Sequence, residues 1–194
     1  ALRLYEALDR RVLRAFDRVI GVSDYQYRQL LQWGLTPAQA THIPHFIEPG
    51  WDEGLPAASR ADERRRWGLT PDDFAIGFFG RASAEKGLDV LMAAGGGAAA
   101  QEPRCRLVVA GEAPAPASSA LSLGFLEDVR PALLACDLIA VPSRREAFGL
   151  IALEALALGR PALASQVGGL PEIVRAGETG WLAPAGDVAA WAAA

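Results

Sequence analysis

Residues 142–169 read PSRREAFGLIALEALALGRPALASQVGG: the end of a strand, a loop, a helix, and a second strand opening into glycines. Leu150, Ile151, Leu153, Ala155, Leu156 and Leu158 recur as in a buried helix, and Gly159-Arg160-Pro161 closes it. The spacing predicts a helix that starts near Phe148 or Gly149. Glu146 then lies on the loop just before the first free amides, and Glu154, eight residues later, lies a turn or more inside. Free amides at a helix start attract anions. Carboxylates beside such a site make chemical sense if they bond the hydroxyls of a ligand whose phosphate rests on the amides. A sugar nucleotide has that layout.

Upstream, Phe74–Phe79 is an apolar run of buried-strand length that ends in Gly80-Arg81, and Lys86-Gly87 opens onto a helix from Leu88 to about Ala94. A strand running into a glycine loop, with two cations before a helix, is how an α/β sheet builds a phosphate site at its carboxyl edge. Two cations suit a diphosphate; the plainer reading of the loop is an exposed basic turn. Residues 95–100 match G-x-G-x-x-A but lack the preceding strand and opening helix that a dinucleotide fingerprint requires. They predict a frayed or bent helix, each glycine costing about 1 kcal/mol relative to alanine.

The ordered set Glu146, Phe148, Gly149 and Glu154, then Gly159-Arg160-Pro161 and Gly168-Gly169-Leu170-Pro171-Glu172, resembles the E-x7-E signature of the GT-B glycosyltransferases, family four in particular. The two glutamates alone would read as a solvated helix face. GRASAEKGLDVL at 80–91 resembles the family's G-R-x4-K-G element. The resemblance implies an α/β fold, a Rossmann-like open and mostly parallel sheet with helices on both faces. It further implies a retaining transfer of sugar from a nucleotide-diphosphate donor, with no cofactor and no required metal. By the same resemblance Gly80, Arg81 and Lys86 hold the diphosphate and, with the amides near Phe148, Gly149 and Leu150, stabilise the charge growing on it. Glu154 grips ribose hydroxyls, and Glu146 holds and orients the transferred sugar. Backbone near Phe125 and Leu126 touches the nucleobase. No separate base is nominated, since in the family the acceptor proton leaves through the donor phosphate.

Residues 1–17 mix apolar positions at helical spacing with Arg3, Arg10, Arg11 and Arg14. One reading of this basic amphipathic helix is contact with an anionic membrane surface; the other, favoured here, is a docking helix whose arginines face water. A strand at 18–22, a helix capped by Ser23 and Asp24 and closed at Gly34, and a strand at 41–44 lead into the turn-rich segment 45–50. This opening resembles the last part of an amino-terminal GT-B domain. His45 stands where the family has an asparagine, and it takes no catalytic role. The expected domains are 1–50, the end of an acceptor domain plus linker, and 51–194, a donor-binding domain truncated at its carboxyl end. The acceptor would be bound by a missing amino-terminal domain.

Within the second domain, 60–67 reads as a charged helix and 104–110 as a strand carrying Cys105. Residues 113–119 are small and proline-broken where the family spends a full helix. A strand at 121–126, a helix capped by Asp128 and a buried strand at 138–141 follow. After the central stretch come a strand at 161–164, a glycine loop at 166–170, a short helix at 171–175, a closing strand at 179–182 and a helix begun by Asp187. The glycine loop reads equally as backbone brought close to a ligand and as a plain turn.

Composition excludes several classes. At 194 residues and 51% apolar the chain can bury a sizeable core, and a net charge of −4 leaves no electrostatic footprint for nucleic acid. Cys105 and Cys136 sit in apolar, strand-like runs and read as buried hydrophobes in a reducing compartment rather than as a disulfide. The two histidines show no zinc-ligand spacing. No run approaches a membrane span and no signal-peptide pattern opens the chain, so the expected location is cytoplasmic, with a peripheral position at the inner membrane face as the alternative. Beside a donor-binding half that binds nucleotide yet turns over poorly, the sequence leaves open a noncatalytic nucleotide-sugar-binding module, a GT-B-like epimerase, and a two-carboxylate glycosidase.

Overall fold

A computed structural model of the chain describes residues 10–55, 59–102, 104–111 and 120–194. The expected loop at 113–119 and the first half of the basic helix lie outside the described residues. The chain divides into two compact units, Ala1–Phe46 and Ile47–Ala194. In the first, residues 10–13 are helical, and β1 (Val19–Gly21) pairs in parallel with β2 (Ala40–His42) across the connecting helix α1 (Asp24–Gln32). Ser23 caps α1 by accepting the Gln26 amide at 3.1 Å, and Gln26 Oε1 accepts the Val22 amide at 3.0 Å. Leu30, Leu35 and Ala40 form a small core. Two of the arginines expected simply to face water are engaged: Arg14 Nε donates to the Trp33 carbonyl at 2.7 Å, and Arg10 lies over the Trp33 ring at 5.4 Å.

The second unit opens with α2 (Ser59–Arg66) and β3 (Phe74–Phe79), and continues through α3 (Leu88–Gln101), β4 (Cys105–Ala110), β5 (Ala120–Gly124), α4 (Arg130–Ala135) and β6 (Leu138–Val141). It ends with α5 (Leu150–Ala157), β7 (Ala162–Ser165), α6 (Leu170–Ile173), β8 (Gly180–Ala183) and α7 (Val188–Ala193). All six strands pair in parallel, in the order β5-β4-β3-β6-β7-β8. The apolar runs hide a strict alternation between faces. Ala75, Phe79, Val108, Ile139, Val141 and Ala162 point to one side, where Leu133 of α4, Ala152 and Ala155 of α5 and Leu170 of α6 cover them. Phe78, Val109, Ala140 and Leu163 point to the other, against Leu88, Leu91 and Ala94 of α3 and Trp191 of α7. Helices on both faces explain why these strands read as continuous hydrophobic runs.

Strand order positions the site. From β3 the chain steps outward to β4 and β5, then returns to lay β6 against the other side of β3 and steps outward again. At such a reversal the connections leave to opposite faces, and a crevice opens at the carboxyl ends of the two central strands. The segment after β3 is Gly80 to Gly87; the segment after β6 is Pro142 to Gly149.

Three expectations change. Helix α3 does not end near Ala94: it stays helical through Gly95, Gly96 and Gly97 to Gln101. Its first turns are anchored in the core, so nucleation is already complete and each added residue gains a backbone bond. Cys136 lies not in a strand but at the C-cap of α4, fully buried against Gly77, where an added Cβ would stand 2.6 Å from Sγ. Burial pushes its thiol up to about 12, and both cysteines are free. The N-cap of α4 is Val129 rather than Asp128, although Asp128 Oδ1 accepts the Arg130 amide at 2.9 Å.

At the amino edge a charged cluster locks α2 to the sheet. Asp137 Oδ2 accepts the Ala75 amide at 2.8 Å and Arg64 Nη1 at 2.9 Å, while Arg60 Nη2 donates to Oδ1. Arg64, buried, also donates to the carbonyls of Ala135, Thr70 and Asp73 at 3.0, 3.1 and 2.6 Å. Burial opposes the Asp137 charge, but the Ala75 amide and the guanidinium groups of Arg64 and Arg60 outweigh it and hold the carboxyl below the usual range. No helix among the described residues is long and apolar enough to cross a membrane.

Candidate functional site

The segments at the carboxyl edge are brought together by glycines that admit no side chain. A Cβ on Gly111 would stand 2.1 Å from the Gly80 carbonyl oxygen, and one on Gly87 2.0 Å from the Pro142 carbonyl oxygen. At Gly168, with φ +58°, a Cβ would stand 1.6 Å from the Glu146 carbonyl oxygen. In the 166–170 loop, Gly168 brings backbone against the Glu146 loop.

Those contacts place Lys86 and Glu146 together. Lys86 Nζ donates to Glu146 Oε2 at 2.7 Å, and the buried Ser143 hydroxyl donates to the same oxygen at 3.1 Å. The Glu146 side chain is 13% exposed, so the pair is screened less than a surface bridge, and it holds a cation and an anion side by side at the mouth of the crevice. Gly149, with φ +110°, is the N-cap of α5. The amides of Gly149, Leu150 and Ile151 donate to no acceptor among the described residues, which leaves the expected helix start facing the crevice mouth with its donors open. The Phe148 side chain instead turns into the core.

Beside this lies a cavity of about 400 Å³ lined by Gly80, Arg81, Gly111, Phe125, Leu126 and Ile151, among others. Arg81 is exposed at its rim. Phe125 is 74% exposed, an aromatic ring held in water beside a mostly apolar hollow. Glu154 is one turn beyond Ile151 in α5; it is half-buried, and its carboxylate has no partner among the described residues. Burial therefore pushes its pKa up.

The structure thus joins the sequence-nominated residues in two neighbouring groups: Lys86 with Glu146, and Gly80, Arg81 and Leu126 around the cavity. Sequence reasoning passed over the exposed ring of Phe125 and the structural use of Gly87 and Gly111. A glycine immediately after a cationic loop residue, and another immediately after a buried strand, were the available signals.

A doubly wound parallel sheet with cations, carboxylates and open helix amides gathered at its switch point defines the class: an α/β protein with its polar groups collected at the sheet's carboxyl edge. Residues 73–194 match the family model described as "Glycosyl transferases group 1", and the chain belongs to that family. The D-inositol 3-phosphate glycosyltransferase of Actinosynnema mirum is 35% identical over 213 residues, which cover 95% of this chain and 49% of that protein. The Anabaena protein Alr3699/HepE, solved in complex with UDP, superposes with a TM-score of 0.81 at 25% identity, over 99% of this chain and 56% of its own. The sucrose-phosphate synthase of Thermosynechococcus elongatus superposes with a TM-score of 0.82 at 29% identity, over 99% and 51%. The chain spans about half the length of these relatives.

Proposed function

We propose that the chain carries the donor site of a retaining glycosyltransferase of the E-x7-E type, family four, which moves a sugar from a nucleoside diphosphate to an acceptor. One observation carries the reading: the Lys86–Glu146 pair, Arg81 and three unengaged amides of α5 converge at the sheet's switch point. In this reading Arg81, Lys86 and those amides take the negative charge that grows on the departing diphosphate. Glu146, already oriented by Lys86 and Ser143, holds the hydroxyls of the transferred sugar and sets its anomeric carbon over the β-phosphate. Glu154 binds ribose hydroxyls, and the nucleobase enters the cavity against Phe125 and Leu126. The UDP complex of the HepE relative makes UDP the first donor nucleotide to test. Residues 1–50 would be the end of an acceptor-binding domain and 51–194 the donor domain, working in the cytoplasm without a metal.

Glu154 gives a test in which binding and stability move in opposite directions. Its folded pKa is raised, so ionisation lowers stability as pH climbs from the ordinary carboxylate range through the raised value, and that loss persists above it. At pH 8, Glu154→Gln is expected to raise Tm. The same change replaces a charge-assisted bond to a hydroxyl by a neutral one, and UDP affinity should fall about tenfold. Unchanged UDP affinity in a more stable variant would remove Glu154 from the ligand.

A further inference from the structure

Two ion pairs of opposite polarity join the same two segments. Lys86, on the segment after β3, reaches Glu146 at 2.7 Å. Arg144, on the segment after β6, reaches back to Asp89 in the first turn of α3, Nη1 to Oδ1 and Nη2 to Oδ2, each at 2.7 Å. Nη1 also donates to the Ala84 carbonyl at 2.7 Å, and the Arg144 amide donates to the Glu85 carbonyl at 2.7 Å. Arg144 therefore grips residues on both sides of Lys86 while standing two residues from Glu146. The fork holds the Asp89 carboxyl below its usual range.

Stability does not account for this arrangement. The Arg144 and Asp89 side chains are 37% and 64% exposed, and a pair so wetted contributes little to folding. A planar guanidinium on a carboxylate does fix distance and angle, which a lysine point charge does not. Resting on the donor-site reading above, we propose that Arg144 is a positioning residue for diphosphate recognition: its fork on Asp89 sets the segment after β3 against the Glu146 loop and so places the Lys86 ammonium. Arg144 itself touches no ligand. The crossed polarity enforces one register, because sliding one segment past the other carries Lys86 toward Arg144 and Asp89 toward Glu146.

The test uses the full chain with Arg144→Ala, Arg144→Lys and Asp89→Asn. Each variant should melt close to the parent, since the pair is exposed. In Arg144→Ala the affinity for UDP should fall about tenfold while that for uridine, which lacks phosphate, stays constant. In the ligand-free protein, acylation of Lys86 read by mass spectrometry should speed up several-fold as the amine leaves Glu146. Arg144→Lys should recover little, Asp89→Asn should reproduce the effect, and the Arg144→Ala/Asp89→Asn double variant should be no worse than either single one. Parental UDP affinity and parental Lys86 acylation in Arg144→Ala would overturn the proposal, and so would an equal loss of uridine binding. A parent chain that binds no nucleoside diphosphate rejects the donor reading, yet the acylation comparison still decides whether Arg144 places Lys86.

Discussion

Arg64→Ala is expected to lower the unfolding free energy by about 3–5 kcal/mol, because it removes a buried guanidinium that bonds one carboxylate and three carbonyls. The guanidinium of Arg64 is buried, bonds Asp137 at 2.9 Å, and is the donor to Ala135, Thr70 and Asp73 carbonyls. Alanine leaves Asp137 with Arg60 and the Ala75 amide alone. Lysine carries one point of charge and cannot reach all four acceptors, so Arg64→Lys should recover only part of the loss. Chemical denaturation reads both. The cluster sits at the amino edge, away from the crevice, so any molecules that remain folded should bind nucleotide as the parent does. Asp137 adds a pH signature. Its folded pKa is depressed, so its contribution is fully present above the unfolded value near pH 4 and is lost as pH falls through the lower folded one. Asp137→Asn should therefore be less stable than the parent at pH 7 and should flatten the acid limb of the stability profile.

Gly168→Ala is the second large effect, and it should strike stability and binding together. Its Cβ would lie 1.6 Å from the Glu146 carbonyl oxygen, well inside contact distance, and the neighbour is backbone that cannot rotate away. The Glu146 loop must move by an ångström or more, which separates Glu146 from Lys86. Overpacking of this kind costs about 1–3 kcal/mol, and the left-handed conformation adds roughly 1–2 kcal/mol. A shift of roughly an ångström at a positioned group can remove as much as a hundredfold of function, so UDP affinity should fall tenfold or more. Gly177→Ala is the control: φ is +81°, and an added Cβ there meets nothing within 4 Å. It should show the conformational cost without the loss of affinity. Thermal unfolding and UDP titration of the two variants separate the terms.

What was legible in the sequence was local. The strand at Phe74–Phe79, the helix after Gly149 and the nominated cations and carboxylates all follow from periodicity, caps and loop chemistry within a dozen residues. Strand order was not legible, since the reversal between β3 and β6 pairs Gly77 with Ile139, sixty-two residues on. That reversal is what places Lys86 on Glu146, so the site's residues could be named while their contact could not. Residues 60–67 read only as a charged helix because nothing near them shows that Asp137 waits across the sheet edge for Arg60 and Arg64. Cys136 looked like a strand residue because an apolar run does not distinguish a helix end from the strand that follows it. The three glycines of α3 misled because propensity was weighed without the core contacts that anchor the helix's first turns.

Calorimetric titration of the chain with UDP, GDP and ADP, beside the Arg81→Ala/Lys86→Ala double variant, tests the central claim most directly. One of the three nucleotides should bind the parent, and the double variant, having lost both cations of the segment after β3, should bind it at least a hundredfold more weakly, about 2.7 kcal/mol. Binding of equal strength in parent and variant, or no binding by a chain shown to be folded, would contradict a donor site at the switch point of this sheet.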